Sequence, residues 1–300
     1  MKVIILGSQG FIGSNLIQHF LKNGWEVFGC DLMEYSGAQY KYQKVSVLSS
    51  DFESLFTNNK FDACINASGS GNVAFSVSLP VSDFEANAFS VIKILDTIRK
   101  VQPSCRYLHI SSAAVYGNPE SLPVVESSPI SPLSPYGYHK WISEIICQEY
   151  YQCYQSPIAI LRPFSVYGNG LRKQLLWDIC SRLLINDSIQ LSGTGNESRD
   201  FIHIHDLVQL VHIILTKASF NCEIYNAASG LETSIRMVAY IFEHFYNGNK
   251  KITFSGKFRK GDPLNWRADI SKSTTLGFYP VVSIKQGILD YTQWFKSQNE

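Results

Sequence analysis

Val3-Ile4-Ile5-Leu6-Gly7-Ser8-Gln9-Gly10-Phe11-Ile12-Gly13 decides the fold. The apolar run Val3–Leu6 reads as a strand buried on both faces, and a helical pattern runs from Phe11 to Lys22. Between them the glycines fall at Gly-x-x-Gly-x-x-Gly spacing. Gly7 permits the tight turn, Gly10 lets backbone approach a pyrophosphate, and Gly13 lets the helix pack close on the strand. The N–H groups at the helix start, Phe11 and Ile12 among them, then face the phosphates with a favourable dipole. A plain strand–helix connection can also be glycine-rich. An acid at the end of a second strand, Asp31 after Glu26–Cys30, favours a nicotinamide dinucleotide. Its carboxylate suits adenosine ribose hydroxyls and repels a 2′-phosphate, and no Lys or Arg follows until Lys41. This favours NAD over NADP, although a solvated turn aspartate would look the same.

Working outward, strand-like and helix-like runs alternate through the first half. Strands are expected at Lys44–Leu48, Phe61–Asn66, Arg106–Ser111 and Ile158–Leu161. Helices are expected at Asp51–Phe56, from about Val81 to Val101, and from Pro135 to about Tyr154. Such alternation predicts an α/β fold, a Rossmann-like doubly wound parallel sheet. After Arg162-Pro163 the pattern changes: Leu191–Ser198 reads as a loop, Asp206–Leu215 as a helix, Glu223–Ala228 as a strand that rejoins the sheet. The expected division is a dinucleotide-binding domain over 1–163, with 206–229 rejoining it. A small C-terminal substrate-binding lobe then comprises 164–205 and 230–300. The long loop from Asn118 to Pro135 is of a length that is more often functional than accidental.

The 300 residues are 45% hydrophobic and 17% charged with a formal charge of +1, ordinary for a globular enzyme. Scattered Lys and Arg argue against nucleic-acid or polybasic membrane partners. No apolar run reaches membrane-span length, the N-terminus reads as a strand rather than a signal peptide, and the seven cysteines lack Cys-x-x-Cys spacing. A cytoplasmic protein with reduced thiols is expected.

The second informative stretch is Ser134-Pro135-Tyr136-Gly137-Tyr138-His139-Lys140. A helix starting near Pro135 sets Tyr136 and Lys140 one turn apart on one face. An ammonium beside a phenol favours the phenolate, so Tyr136 could serve as a base for a sugar hydroxyl during hydride transfer. Most Tyr/Lys pairs at this spacing are ordinary helix surface.

Together these motifs make the chain resemble the extended short-chain dehydrogenase/reductase family, in its nucleotide-sugar epimerase, reductase and dehydratase group. The resemblance spans the glycine loop, Asp31, the Asn87 helix, Ser111-Ser112-Ala113-Ala114-Val115-Tyr116-Gly117 and the Tyr136 run. It continues through Leu161-Arg162-Pro163-Phe164-Ser165-Val166-Tyr167-Gly168, Arg199-Asp200-Phe201-Ile202-His203 and Tyr225-Asn226-Ala227-Ala228-Ser229-Gly230. It implies that Tyr136 is the acid/base, that Lys140 holds the nicotinamide ribose and lowers the tyrosine's pKa, and that Ser112 hydrogen-bonds the reacting sugar oxygen. Ala67, Asn87 and Pro163 are implied beside the cofactor. Ser165, Arg199 and Arg259 are implied toward the substrate diphosphate, a role that suits the forked guanidinium. The partner implied is a nucleotide-diphosphate sugar, and no metal is expected. In dehydratases of this group an Asp and a Glu follow the catalytic Ser/Thr. Here Ala113 and Ala114 do, so dehydration is disfavoured, and decarboxylating relatives also keep a Glu. Val47 replaces an acid that commonly contacts adenine, and Ser165 replaces an Asn. The expected activity is C4 epimerisation through a 4-keto sugar. A 4-keto-6-deoxy-sugar reductase and a non-catalytic dinucleotide sensor are the alternatives.

His203, His205 and Asp206 could suggest a metal, but a satisfied pair is the plainer reading. Asp178 and Asp187 read as solvated, and Tyr150, Tyr151 and Tyr154 as core or interface. The resemblance also implies a homodimer through the Asn87 and Tyr136 helices, with Ile142, Ile145 and Ile146 available for that contact or for the protein's own sheet.

Overall fold

The computed structural model describes residues 1–37, 39–246, 249–257 and 263–299. Seven parallel strands form the main sheet: β1 (Lys2–Leu6), β2 (Glu26–Asp31), β3 (Lys41–Lys44), β4 (Ala63–Asn66), β5 (Arg106–Ile110), β6 (Ile158–Pro163) and β10 (Asn221–Ala227). Their order is β10-β6-β5-β4-β1-β2-β3, so the direction of winding reverses between β1 and β4. That crevice at the carboxyl ends is where ligands bind in such sheets.

The unbroken apolar run of β1 follows from burial on both faces. Val3 and Ile5 join the core beneath α1 (Phe11–Lys22) and α8 (Ile204–Lys217). Ile4 and Leu6 join the opposite core beneath α2 (Phe52–Asn58), α5 (Ser90–Val101) and α6 (Pro135–Tyr154). A third core builds the C-terminal lobe from α7 (Gln174–Ile185), α9 (Ile235–Phe245) and α10 (Ile284–Ser297). It includes the two-stranded sheet of β8 (Ser188–Leu191) and β12 (Lys251–Phe254). A small sheet orders β11 (Glu232–Ser234), β9 (Ser198–His203) and β7 (Ser165–Tyr167).

One expected strand is shifted, and one expected helix carries an insertion. The third strand lies at Lys41–Lys44, not Lys44–Leu48, because β2 ends at Asp31 and leaves nothing to pair beyond the bond from Val45 N to the Asp31 carbonyl. Val45 and Val47, which make the later stretch look strand-like, instead pack on the core. The helix expected from about Val81 to Val101 is present as one continuous helical run with a π turn inside it. After α3 (Val73–Ser78), Pro80 opens α4 (Pro80–Phe84), a π-helical turn spans Glu85–Phe89, and α5 follows. The apolar pattern hides the π turn because it shifts helical phase without interrupting helical backbone.

Helix α6 begins where its sequence dictates. Ser134 Oγ accepts from Gly137 N at 3.2 Å, Pro135 fills the first position, and Gln155 ends the helix in a left-handed conformation. Gly137 is required for closeness: a Cβ there would stand 2.8 Å from the Ala114 carbonyl oxygen. Helix α6 therefore presses on the 3₁₀ turn Ala113–Val115, which Ser112 caps through its bond from Ala114 N.

Candidate functional site

A cleft of about 1080 Å³ runs from the start of α1, along the carboxyl ends of β4, β5 and β6, into the C-terminal lobe. A smaller hollow, about 350 Å³, lies at the opposite end of the sheet, beside Met1, Asp62 and Arg106, and shares no lining residue with the cleft. Of the residues singled out in the sequence, Gly10, Phe11, Ile12, Ala67, Ser112, Tyr136, Lys140, Pro163, Ser165 and Arg199 all line the large cleft.

Gly7 and Gly13 lie behind it as framework. Gly7 has φ +76°, and a Cβ on Gly13 would meet the Gly7 carbonyl oxygen at 2.1 Å, so the helix seats on the turn only with glycine. Gly10 differs: its added Cβ would meet only that same oxygen, at 3.2 Å. As N-cap of the twelve-residue α1 it offers no side-chain acceptor, and the first turn carries no acid. The first N–H groups of α1 are therefore left without a side-chain cap. These donors fit a dinucleotide pyrophosphate. Asp31 sits at the end of β2, off the cleft wall. Its Oδ2 accepts from Gln9 N at 2.9 Å and its Oδ1 from Leu32 N at 2.7 Å, so it braces the glycine loop and keeps lone pairs for a ribose. Lys41 lies toward the amino end of β2, paired with Glu26 and away from Asp31, and Lys44 pairs with Glu34.

Asn87 is buried in the π turn rather than on the cleft wall. Its Nδ2 donates to the Ser70 carbonyl and to Asp83 Oδ1, both at 3.1 Å, while its Oδ1 has no partner among the described residues. It thus supports loop 67–72 from behind. Arg259 falls outside the described residues. Arg199 reaches the far end of the cleft over the Trp266 ring and donates to the Ser198 carbonyl at 2.8 Å.

Lys140 is buried and donates from Nζ to the Ile110 carbonyl at 3.0 Å. Burial pulls its pKa down to about 8, opposed by the negative charges of Asp83 and Glu144. The Tyr136 phenol is pushed above its ordinary value by burial, pulled back by a hydrogen bond with Ser112 and pushed up again by Asp83. The ammonium is turned to the β5 carbonyl, and Ser112 is the neighbour that favours the phenolate.

Beneath the cleft lies a polar chain that sequence reasoning missed. Arg162 grips Glu144 with Nε to Oε1 at 3.0 Å and Nη2 to Oε2 at 2.6 Å, both residues 3% exposed or less. Glu144 also accepts from Ser111, the neighbour of Ser112. Arg162 Nη1 donates to Tyr116 Oη at 2.8 Å, and Tyr116 donates to Asn226 Oδ1 at 2.7 Å. Four segments of the fold are thus cross-linked under the reacting residues.

His203 and His205 do not alternate on one strand. His203 caps α8 by accepting from His205 N, and His205 pairs with Asp206; among the described residues no group of three metal-ligating side chains gathers. Asp178 lines the cleft with its side chain 48% exposed and paired with Arg182 at 3.2 Å, and Asp187 is exposed and bonded to Lys250. Tyr150 is core, Tyr151 packs against it, and Tyr154 is exposed beneath the Arg99 guanidinium. Among the described residues no helix is long and apolar enough to cross a membrane.

The chain is 29% identical over 306 residues to a putative UDP-glucose 4-epimerase of Methanocaldococcus jannaschii, covering 99% of each. It matches the UDP-glucuronic acid 4-epimerase of Bacillus cereus, solved in complex with UDP-glucuronic acid and NAD, with a TM-score of 0.92 and 26% identity. That match covers 99% of this chain and 100% of the other. The UDP-glucose 4-epimerase of Thermotoga maritima shares the fold at a TM-score of 0.92 and 23% identity over the whole of both chains. With the model of the NAD dependent epimerase/dehydratase family matching residues 3–228, the chain belongs to that NAD-dependent family.

Proposed function

We propose that the protein is a nucleotide-sugar 4-epimerase. One observation carries the reading. Ser112, Tyr136 and Lys140 share a cleft with the uncapped start of α1, and the side chain beside them is Ala114, where elimination would need a carboxyl. Gly10, Phe11, Ile12, Ala67 and Pro163 would hold the dinucleotide, with Asp31 toward its adenosine ribose. NAD, when bound, supplies the hydride acceptor and donor together with a cationic ring that favours a nearby phenolate. Tyr136 takes the C4 hydroxyl proton as the sugar is oxidised and returns it as the other epimer forms. Ser112 holds the reacting oxygen, and Ser165 and Arg199 meet the diphosphate end. The dinucleotide-binding part is 1–163 with 206–229, and the sugar nucleotide lies between it and the lobe of 164–205 and 230–300.

The test is turnover of UDP-hexoses and UDP-hexuronic acids without added NADH. Interconversion of the C4 epimers is expected, and stoichiometric consumption of reduced cofactor with a 4-keto sugar would replace the reading by a reductase. Turnover should fall above about pH 8 as the Lys140 ammonium loses its proton. Its pKa is depressed on folding, so between that pH and the ordinary lysine value the unfolded chain binds more protons. This group's contribution to stability therefore rises across that window, so loss of the Lys140 proton does not by itself favour unfolding.

The exposed Val81, Phe84, Phe89, Tyr138 and Ile145 on α4, the π turn and α6 form an apolar face suited to a second copy. Ile146 instead packs on the protein's own core. A light-scattering mass of one protomer would overturn the homodimer.

A further inference from the structure

Asp83 is wholly buried on α4, beside the Tyr136 turn of α6. His139, between Tyr136 and Lys140 in sequence, donates from Nδ1 to Asp83 Oδ2 at 2.7 Å, and the Phe84 ring meets the imidazole edge-on. Since a carboxylate only accepts, this fixes the histidine tautomer. The other oxygen, Oδ1, accepts from Asn87 Nδ2, which also donates to the Ser70 carbonyl on the cleft wall. Loop and side chain are in close register there: a Cβ on Gly69 would stand 2.5 Å from Asn87 Oδ1. A continuous run of contacts thus joins α6, α4, the π turn and the cleft loop. A charge is this deeply buried only when partnered, and its partners here belong to the two segments that must stay aligned.

We propose that Asp83 is a positioning residue for the Tyr136–Lys140 turn: gripped by His139 and Asn87, its carboxylate ties that turn to loop 67–72 and stands as buried counter-charge to the Lys140 ammonium. This rests on the epimerase reading above. The charged and titratable groups around Lys140 and Tyr136 are Asp83 from α4, His139, Glu144 and Cys147 from α6, His109 from β5, and the Ser112 hydroxyl. Asp83 raises both the Lys140 and the Tyr136 pKa.

The experiment is Asp83→Asn in the NAD-loaded protein, assayed across pH and by amide hydrogen exchange. Its kcat should fall about 10-fold through misalignment. KM should stay within about 3-fold, because Asp83 does not touch substrate. Both limbs of the kcat/KM profile should move to lower pH by roughly 0.5–1 unit. Exchange should quicken at 67–72 and 135–140. A purely structural residue would lower the rate without moving the limbs, so unmoved limbs overturn the counter-charge, and unchanged exchange overturns the tie. Should the variant not fold, His139→Gln reads the tie alone: faster exchange in both segments supports it, and wild-type exchange sinks it. The exchange arm needs no turnover, so a wild-type protein that fails to epimerise refutes the reaction while the tie is still decided.

Discussion

Tyr136→Phe is expected to lower turnover by at least about 10²-fold, the lower end of what a positioned acid/base contributes. The substitution removes one oxygen and leaves the ring. Of the neighbours that set the behaviour of that oxygen, Ser112 is the hydrogen-bonding one, and Asp83 acts only through charge. Cofactor retention should be preserved, since the uncapped start of α1 and Asp31 are untouched. The measurement is turnover at saturating sugar nucleotide together with the bound NAD content. A variant with near wild-type turnover would remove Tyr136 from the chemistry, and one that had lost its cofactor would show a binding role instead.

Arg162→Met is expected to destabilise the protein by about 3–5 kcal/mol, the range for breaking a buried ion pair from one side. Methionine fills much of the volume but leaves the Glu144 carboxylate buried at 1% exposure without its two-pronged partner. It also leaves Tyr116 without the guanidinium that meets both its hydroxyl and its ring face. Adding Glu144→Leu to Arg162→Met should recover much of the loss, because the stranded charge goes with it. Denaturant unfolding of the two single variants and the double closes the cycle. A loss under about 1 kcal/mol for Arg162→Met would mean the pair does not hold these segments together. Ser111 donates to the same carboxylate, so the single variants should also lower activity by loosening Ser112.

These networks mark the boundary of what one sequence discloses. The glycine turn, the doubly apolar strands and the Ser134-Pro135 helix start are local signals, each legible because its physics lies within a few residues. The placement of Ser112 against Tyr136 is available from sequence only through resemblance. Its cause, the absent Cβ of Gly137 against the Ala114 carbonyl, becomes visible only when two distant segments meet. Asp83 with His139 and Glu144 with Arg162 look like ordinary solvated charges in the sequence, because the pairing that justifies their burial crosses between elements. The third strand is misplaced for a related reason. Val45 and Val47 alternate like a strand, but the ladder stops where β2 runs out. The bond from Lys140 Nζ to the Ile110 carbonyl is likewise invisible in the sequence, because its acceptor lies on β5, thirty residues away.

The placing of β10 beside β6 bears on how the chain can be made. Every residue of β6 is buried, and its outer flank is covered by residues 221–227, which follow α7, β8, β9 and α8 in the chain. A growing polypeptide that has emerged only as far as Pro163 therefore carries an open, apolar sheet margin, a template for wrong partners until Ala227 arrives. Nor can the intervening segment be trimmed to a simple tether, because the same stretch carries the strand back to close that margin.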